Sequence, residues 1–146
     1  MNYINYRNQI INNSAVDINA IEIAKARINN LSEETIKRFF IQYCEVTGYN
    51  KPEDFESERE NTINGIIDVE AALYLAMKDN DVRTLNINRH QHDLWSFHRI
   101  NEGWNYGDIK DKANKLNPCL KPFDLLTVEE ISWDNMFLNL YEKIIM

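Results

Sequence analysis

Between His90 and Asp111 the chain reads HQHDLWSFHRINEGWNYGDIKD, which gathers all three of its histidines with two tryptophans and a tyrosine. If residues 90–102 are helical, a turn of about 100° per residue puts His92, Trp95, Arg99 and Glu102 on one stripe. Leu94 and Phe97 point the other way, with His98 and Asn101 near them. The core contact then falls to Leu94 and Phe97, and Trp95 shares its face with an imidazole, a guanidinium and a carboxylate. An indole offers a flat surface for stacking a planar base, and His and Arg can donate hydrogen bonds to an acceptor-rich ligand such as a nucleotide. The same residue types also suit a Trp95 buried at a helix crossing or a subunit contact. Both readings stand at this point.

Other chemistries fit these residues less well. His90, His92, His98 and Glu102 could be metal ligands, with His98 and Glu102 at i, i+4, but no second ligand cluster or compact repeat spacing accompanies them. No metal and no cofactor is expected. A hydrolase would need an activated nucleophile, yet the chain has no G-x-S-x-G, no H-E-x-x-H and no phosphate-cradling glycine loop. Asp93, Glu102, Asp108 and Asp111 could supply paired carboxylates, but nothing in their spacing fixes two of them together, and they read as solvated. The expectation is a protein that binds and performs no catalysis.

The elements that must position this stretch read as helices. Ile21, Ala24 and Ile28 give a helical period within 16–29. Ser32 is a suitable N-cap for a helix carrying Ile36, Phe39, Phe40, Tyr43 and Cys44, and Gly48 stops it in a left-handed cap. The acidic run Glu53–Glu60 reads as a linker or first turn. It leads into Ile63, Ile66, Ile67, Leu73, Tyr74 and Met77, apolar over more than half a helix circumference and so central to the core. Val82–Ile87 alternates loosely and predicts a short strand. From Asn105 to Pro122, Tyr-Gly, Asn-Pro and Lys-Pro steps predict an extended, turning segment. Thr127 and Glu130 form a T-x-x-E capping box before a final helix with Ile131, Leu138, Tyr141 and Ile145 on one face. The fold class is mainly α, a small helical domain with short extended or β segments.

Length and charge narrow the partners. At 146 residues with 44% hydrophobic side chains, the chain can build one core. Its formal charge of −7 argues against phosphate-backbone binding and against an anionic membrane surface. Residues 86–126 carry six basic and five acidic side chains, the one segment without an acidic surplus, which permits an anionic ligand. Cys44 and Cys119 lack CxxC spacing, and the opening MNYINYRNQI lacks a basic region followed by an apolar one. A reduced, cytoplasmic protein is expected.

The order His92-x-x-Trp95, Arg99, Gly103-Trp104-x-Tyr106-Gly107, Asp111, Pro118-Cys119-Leu120, Phe123 and Leu126 resembles the RyR domain. That repeat occurs in pairs in ryanodine receptors and singly in bacterial and phage proteins. The resemblance covers about 86–146 and leaves 1–85 as an N-terminal helical region of unassigned role. Phe123 stands where the family often has Tyr, and Ile131 where it often has Lys. Phe40 and Gly48-Tyr49-Asn50 echo the spacing of Trp95 and Gly103-Trp104-Asn105, as any helix ending at glycine does.

The resemblance implies a non-enzymatic module in which an adenine is sandwiched between facing H-x-x-W surfaces. It places His92, Trp95, Arg99 and Asp134 around the ligand, with Lys110 on a phosphate. Asp134 stands where the family sometimes has an amide. A single copy further implies a homodimer, to supply the second wall. Gly103 would end the first helix, Trp104 and Tyr106 would pin the next turn, and Gly107 would give conformational freedom where a side chain would obstruct. Pro118 and Pro122 would stiffen the return to the last helix. Two functions follow from the family: a receptor or sponge for a nucleotide-derived signal in phage–host conflict, or a module whose Trp-rich face meets protein.

Overall fold

The computed structural model describes residues 3–12 and 16–146. Six helices follow one another: α1 (Tyr3–Ile11), α2 (Ile18–Ile28), α3 (Glu33–Thr47), α4 (Phe55–Lys78), α5 (Thr84–Asn101) and α6 (Val128–Ile144). Between α5 and α6 lie two short parallel strands, β1 (Asn105–Tyr106) and β2 (Leu116–Asn117), with Asn105 beside Leu116 and Tyr106 beside Asn117. The protein is mainly α, as its periodicity implies. Among the described residues no helix is long and apolar enough to cross a membrane.

The helix ends follow local chemistry. The Asp17 carboxylate accepts from the amides of Asn19 and Ala20 to start α2, and the Ser32 hydroxyl accepts from Thr35 N to start α3. Gly48 closes α3 at φ +71°, its amide donating to Cys44 O. The Thr127–Glu130 box is present in both directions, at 3.1 and 2.9 Å. The acidic run divides between a 3-10 turn at Pro52–Asp54 and the first turns of α4.

Two expectations need correction. Val82–Ile87 is no strand: α5 begins at Thr84, with Ile87 N donating to Arg83 O. The loose alternation came from Val82 and Leu85, both exposed, while the buried positions Ile87, Asn88, Gln91 and Leu94 repeat at helical spacing. The helix that carries Trp95 is thus longer than 90–102. The sequence reading also placed no helix over Tyr3–Ile11, where α1 packs against α5. Its Tyr6 hydroxyl sits between Ser96 Oγ (2.9 Å) and Asp93 Oδ1 (3.0 Å).

α4 is the axis of the domain and packs against α2, α3, α5 and α6. Ile66, Val69, Ala71, Ala72 and Ala76 are fully buried along it, and the alanines let neighbouring backbones come close. One apolar cluster takes residues from both sides of the 85/86 line, from Tyr6, Phe39 and Ile66 to Leu94, Leu120 and Leu138. A smaller cluster holds Ile36, Phe40, Cys44 and Phe55. At Gly65 the approach of α6 is closest: a Cβ there would lie 2.6 Å from Phe137 Cε1.

Gly65→Ala should therefore lower stability by roughly 1–3 kcal/mol through overpacking against the Phe137 ring. Gly48→Ala meets open space but keeps a left-handed φ, and should cost only about 1 kcal/mol. Urea melts of the two variants check the order; an equal or smaller loss at Gly65 would show that Phe137 moves aside freely.

Candidate functional site

The helices α3 and α5 stand on opposite sides of a gap, because each packs on α4 and α6. The gap is a cavity of about 560 Å³, a size that suits a small organic ligand. From α5 it takes Gln91, His92, Trp95, His98, Arg99 and Glu102, one stripe at i, i+3 and i+4 spacing. Tyr43 comes from α3, Gly65 and Asp68 from α4, and Trp133, Asp134 and Phe137 from α6. The segment between α5 and α6 adds Trp104, Lys110 and Lys112. All five residues assigned to ligand by resemblance, His92, Trp95, Arg99, Lys110 and Asp134, thus border one cavity.

They do not border it alike. His92 is buried, and its Nε2–H donates to Lys121 O at 2.6 Å. Burial pushes its pKa down to about 4, so at neutral pH the ring is uncharged. The ring lies between Tyr6 (6.0 Å) and Trp95 (5.8 Å). Trp95 is half-buried, packed on the core cluster while another part of it reaches the cavity. The Arg99 guanidinium stands 5.8 Å from the Trp104 ring centre and reaches Glu102 Oε1 at 3.3 Å. Lys110 and Lys112 are exposed at the rim and form no ion pair among the described residues.

His98 belongs to the cavity stripe and not to the core side with Leu94. Its Nε2 meets Asp68 Oδ1 at 2.9 Å. Burial disfavours charge on both partners, but the carboxylate outweighs burial at the imidazole and holds the His98 pKa above its ordinary value. Asp134 is different: its carboxyl forms no hydrogen bond or ion pair among the described residues, and only its backbone carbonyl is engaged, by Gln91 Nε2 at 2.9 Å. Burial, aided by repulsion from Asp68, lifts its pKa to about 8.

The residues assigned structural roles mostly sit in the turn after α5. Gly103 takes φ +93° at the helix end, and Lys115 Nζ donates to Glu102 O at 2.6 Å, closing the helix with a cation. Gly107 has no left-handed φ; it is needed because a Cβ there would stand 2.7 Å from Leu116 Cβ. Tyr106 donates to Asp108 Oδ1 at 2.8 Å. Pro122 leads the 3-10 turn Phe123–Leu125, and Pro118 borders the cavity. Trp104 also borders the cavity, so the division of Trp95 to ligand and Trp104 to stability is not drawn in the geometry.

The three imidazoles diverge, since His90 pairs with Asp79 at 2.6 Å while His92 and His98 have the partners above. Among the described residues no three His, Cys, Asp or Glu side chains gather as metal ligands. Sequence reasoning missed Asp68, Tyr43, Trp133 and Phe137. Asp68 did carry a signal, a carboxylate inside the apolar run Ile66-Ile67-Asp68-Val69.

The H-x-x-W face, the turn after Gly103 and the last helix all border one cavity. Residues 71–140 match the RyR domain family. The matched RyR span starts inside α4, upstream of the 86 expected from the motifs, and ends within α6. No solved structure matches the chain.

The raised Asp134 pKa sets a pH dependence of stability. The unfolded carboxyl titrates near 3.8 and the folded one near 8. Below about pH 4 both states hold the proton; between about 4 and 8 the folded state keeps a proton that the unfolded state has lost, and above about 8 the full penalty stands. Stability should therefore fall as pH rises from about 4 to about 8 and level off above that. Asp134→Asn should raise the melting temperature at the alkaline end and flatten the profile. Thermal melts across that range test it, and a wild-type profile that is flat or rising would contradict the assignment.

Proposed function

We propose that this protein is a non-enzymatic receptor for a nucleotide-like small molecule whose base enters the cavity between α3 and α5. The observation that carries the reading is the cavity's polarity. Its walls are aromatic, its rim holds the cations Lys110 and Lys112, which form no ion pair among the described residues, and inside it Asp68 is paired with His98 and Glu102 with Arg99. Asp134, its pKa lifted to about 8, keeps its proton at pH 7. A flat uncharged base inside and a phosphate at the rim match this gradient. The chemistry-bearing groups argue for binding over catalysis. His92 spends its N–H on Lys121 O, and the Cys119 thiol is pushed up to about 12 by burial and its Glu130 hydrogen bond.

A role as signal receptor or sponge, in phage–host conflict or elsewhere, rests on this binding step. The wall facing Trp95 comes from the same chain, so one ligand binds per chain whether or not two chains form a homodimer. The protein-interaction reading draws on the exposed Tyr49–Trp133 stack, 5.2 Å between centres, which borders the same cavity. A cytoplasmic setting suits either reading.

Adenine mononucleotides should quench the tryptophan fluorescence with a stoichiometry of one per chain. Trp95→Leu keeps apolar volume but removes the indole face, and should weaken binding by roughly 1–3 kcal/mol. Lys110→Ala with Lys112→Ala should weaken the nucleotide by up to about 1 kcal/mol per lysine and leave the nucleoside unaffected. If no adenine, guanine or pyrimidine nucleotide changes the fluorescence or the calorimetric heat, the receptor reading is wrong.

A further inference from the structure

We propose that the exposed Tyr49–Trp133 pair is a second stacking platform, so that the cavity takes a ligand with two ring systems, a dinucleotide, with one base inside and the other laid across this pair at the mouth. This deepens the receptor reading and rests on it. The subsite lies apart from the H-x-x-W face, and Tyr49 lies outside the span matched to the RyR family.

Both rings are held in place, and both are left open to solvent. Gly48 and Asn50 take positive φ values of 71° and 55° on either side of Tyr49. The Thr47 hydroxyl accepts from Tyr49 N at 3.0 Å and donates to Tyr43 O at 2.8 Å, which pins the turn. Tyr49 is thereby brought to Trp133 in the second turn of α6, with 5.2 Å between ring centres and 34° between planes. Even so, Tyr49 stays 58% exposed and Trp133 40%. An aromatic pair ordered at a cavity edge and half uncovered has ring faces free for a third ring.

The size of the patch selects the occupant. An aromatic side chain buries about 150–250 Å² in full, so two half-exposed ones leave roughly 200 Å² uncovered. That is a quarter of the roughly 800 Å² per partner that a stable protein contact covers. The residues beside them add little: Glu45, Gly48, Asn50, Glu129 and Ser132 are exposed and polar or small, and Val46 is the one exposed large apolar neighbour within four positions of Tyr49. A planar base matches such a patch. The cavity also has room for two rings. Tyr49 and Trp133 border the same space as Trp95, and along α4 its lining runs from Glu58 to Asp68, about 15 Å at a rise of about 1.5 Å per residue. The Asn64 carboxamide, the Tyr43 hydroxyl and the Trp104 indole N–H border that space and form no hydrogen bond among the described residues. They are donors open to the oxygens of a sugar–phosphate link. A mononucleotide stacked on Trp95 would leave the Tyr49–Trp133 faces wet.

The test is a calorimetric titration of the full chain with three probes: adenosine monophosphate, a linear diadenylate (two adenosine monophosphates joined by one phosphodiester), and the same diadenylate lacking its second base. Wild type should bind the diadenylate at least about fivefold more tightly than the monophosphate, the lower end of what one stacked base contributes. The probe without the second base should fall back to within about twofold of the monophosphate, which separates stacking from added charge. Tyr49→Gln with Trp133→Gln should bring the diadenylate down to the level of the monophosphate and leave the monophosphate within about twofold of wild type, whereas Tyr49→Phe, which keeps the ring, should bind all three as wild type does. The inference is overturned if wild type binds the diadenylate no better than the probe without the second base, a comparison that needs no variant to fold. It is overturned equally if the double variant leaves the diadenylate advantage intact or weakens both ligands alike. In those cases the monophosphate still binds wild type, the receptor reading survives, and a protein partner becomes the use of the exposed pair. If no nucleotide binds wild type, both readings fall.

Discussion

A buried imidazole must either charge itself at high cost or find an acceptor for its one N–H, and much of the packing around α5 is arranged around how His92 meets that demand. Its Nε2–H reaches the carbonyl of Lys121, so the long return segment between α5 and α6 is tied back onto the middle of α5. Its faces are covered by Tyr6 from α1 and Trp95 from α5, with Phe123 at 6.2 Å closing an edge. Three pieces of chain, α1, α5 and the return segment, thus meet at one neutral ring. Trp95 inherits its orientation from that stack, which fixes a large side chain at the cavity wall without spending its whole surface on the core. The return segment gains its anchor there too: Lys121 Nζ reaches Glu130, and Glu130 in turn caps α6 through Thr127.

The cavity exists because the same helices cannot close it. α4 and α6 meet tightly where Gly65 receives Phe137, and Phe137 then packs at a tilt against Phe39 (5.6 Å) and Tyr43 (5.0 Å) of α3. These contacts set how near α3 comes, and the His92 stack sets how α5 faces it. Across the space Asp134 already feels Asp68, whose repulsion adds to burial in disfavouring its charge, so bringing the two acids closer would add to that cost.

What could be read from the residues alone was local. Ser32, Gly48 and the Thr127–Glu130 box act through neighbours within a few positions, and each marks its helix end where its chemistry predicts. The stripe from His92 to Glu102 is likewise a property of one helix. The failures have the opposite character. α1 carries little periodic signal, and its Tyr6 matters through Ser96 and Asp93, some ninety positions away. The strand expected at 82–87 lost because Val82 and Leu85, read as inward, have nothing to pack against. The far wall of the cavity was invisible because Tyr43, Asp68 and Phe137 converge only once three helices are packed.

That far wall also bears on how much the family match can carry. Residues 71–140 include the α5 stripe, the turn with Gly103 and Gly107, and Asp134 with Phe137 on α6. They exclude Asp68 and Gly65, which lie on α4 a short way upstream of residue 71, and all of α3. The cavity is therefore assembled half from the matched span and half from residues outside it. Asp68 raises the pKa of His98 and, beside burial, adds to the rise at Asp134, so a residue outside the span tunes two residues within it. The electrostatics of the cavity is therefore a property of how α4 packs against α5 and α6, and residues inside and outside the matched span set it together.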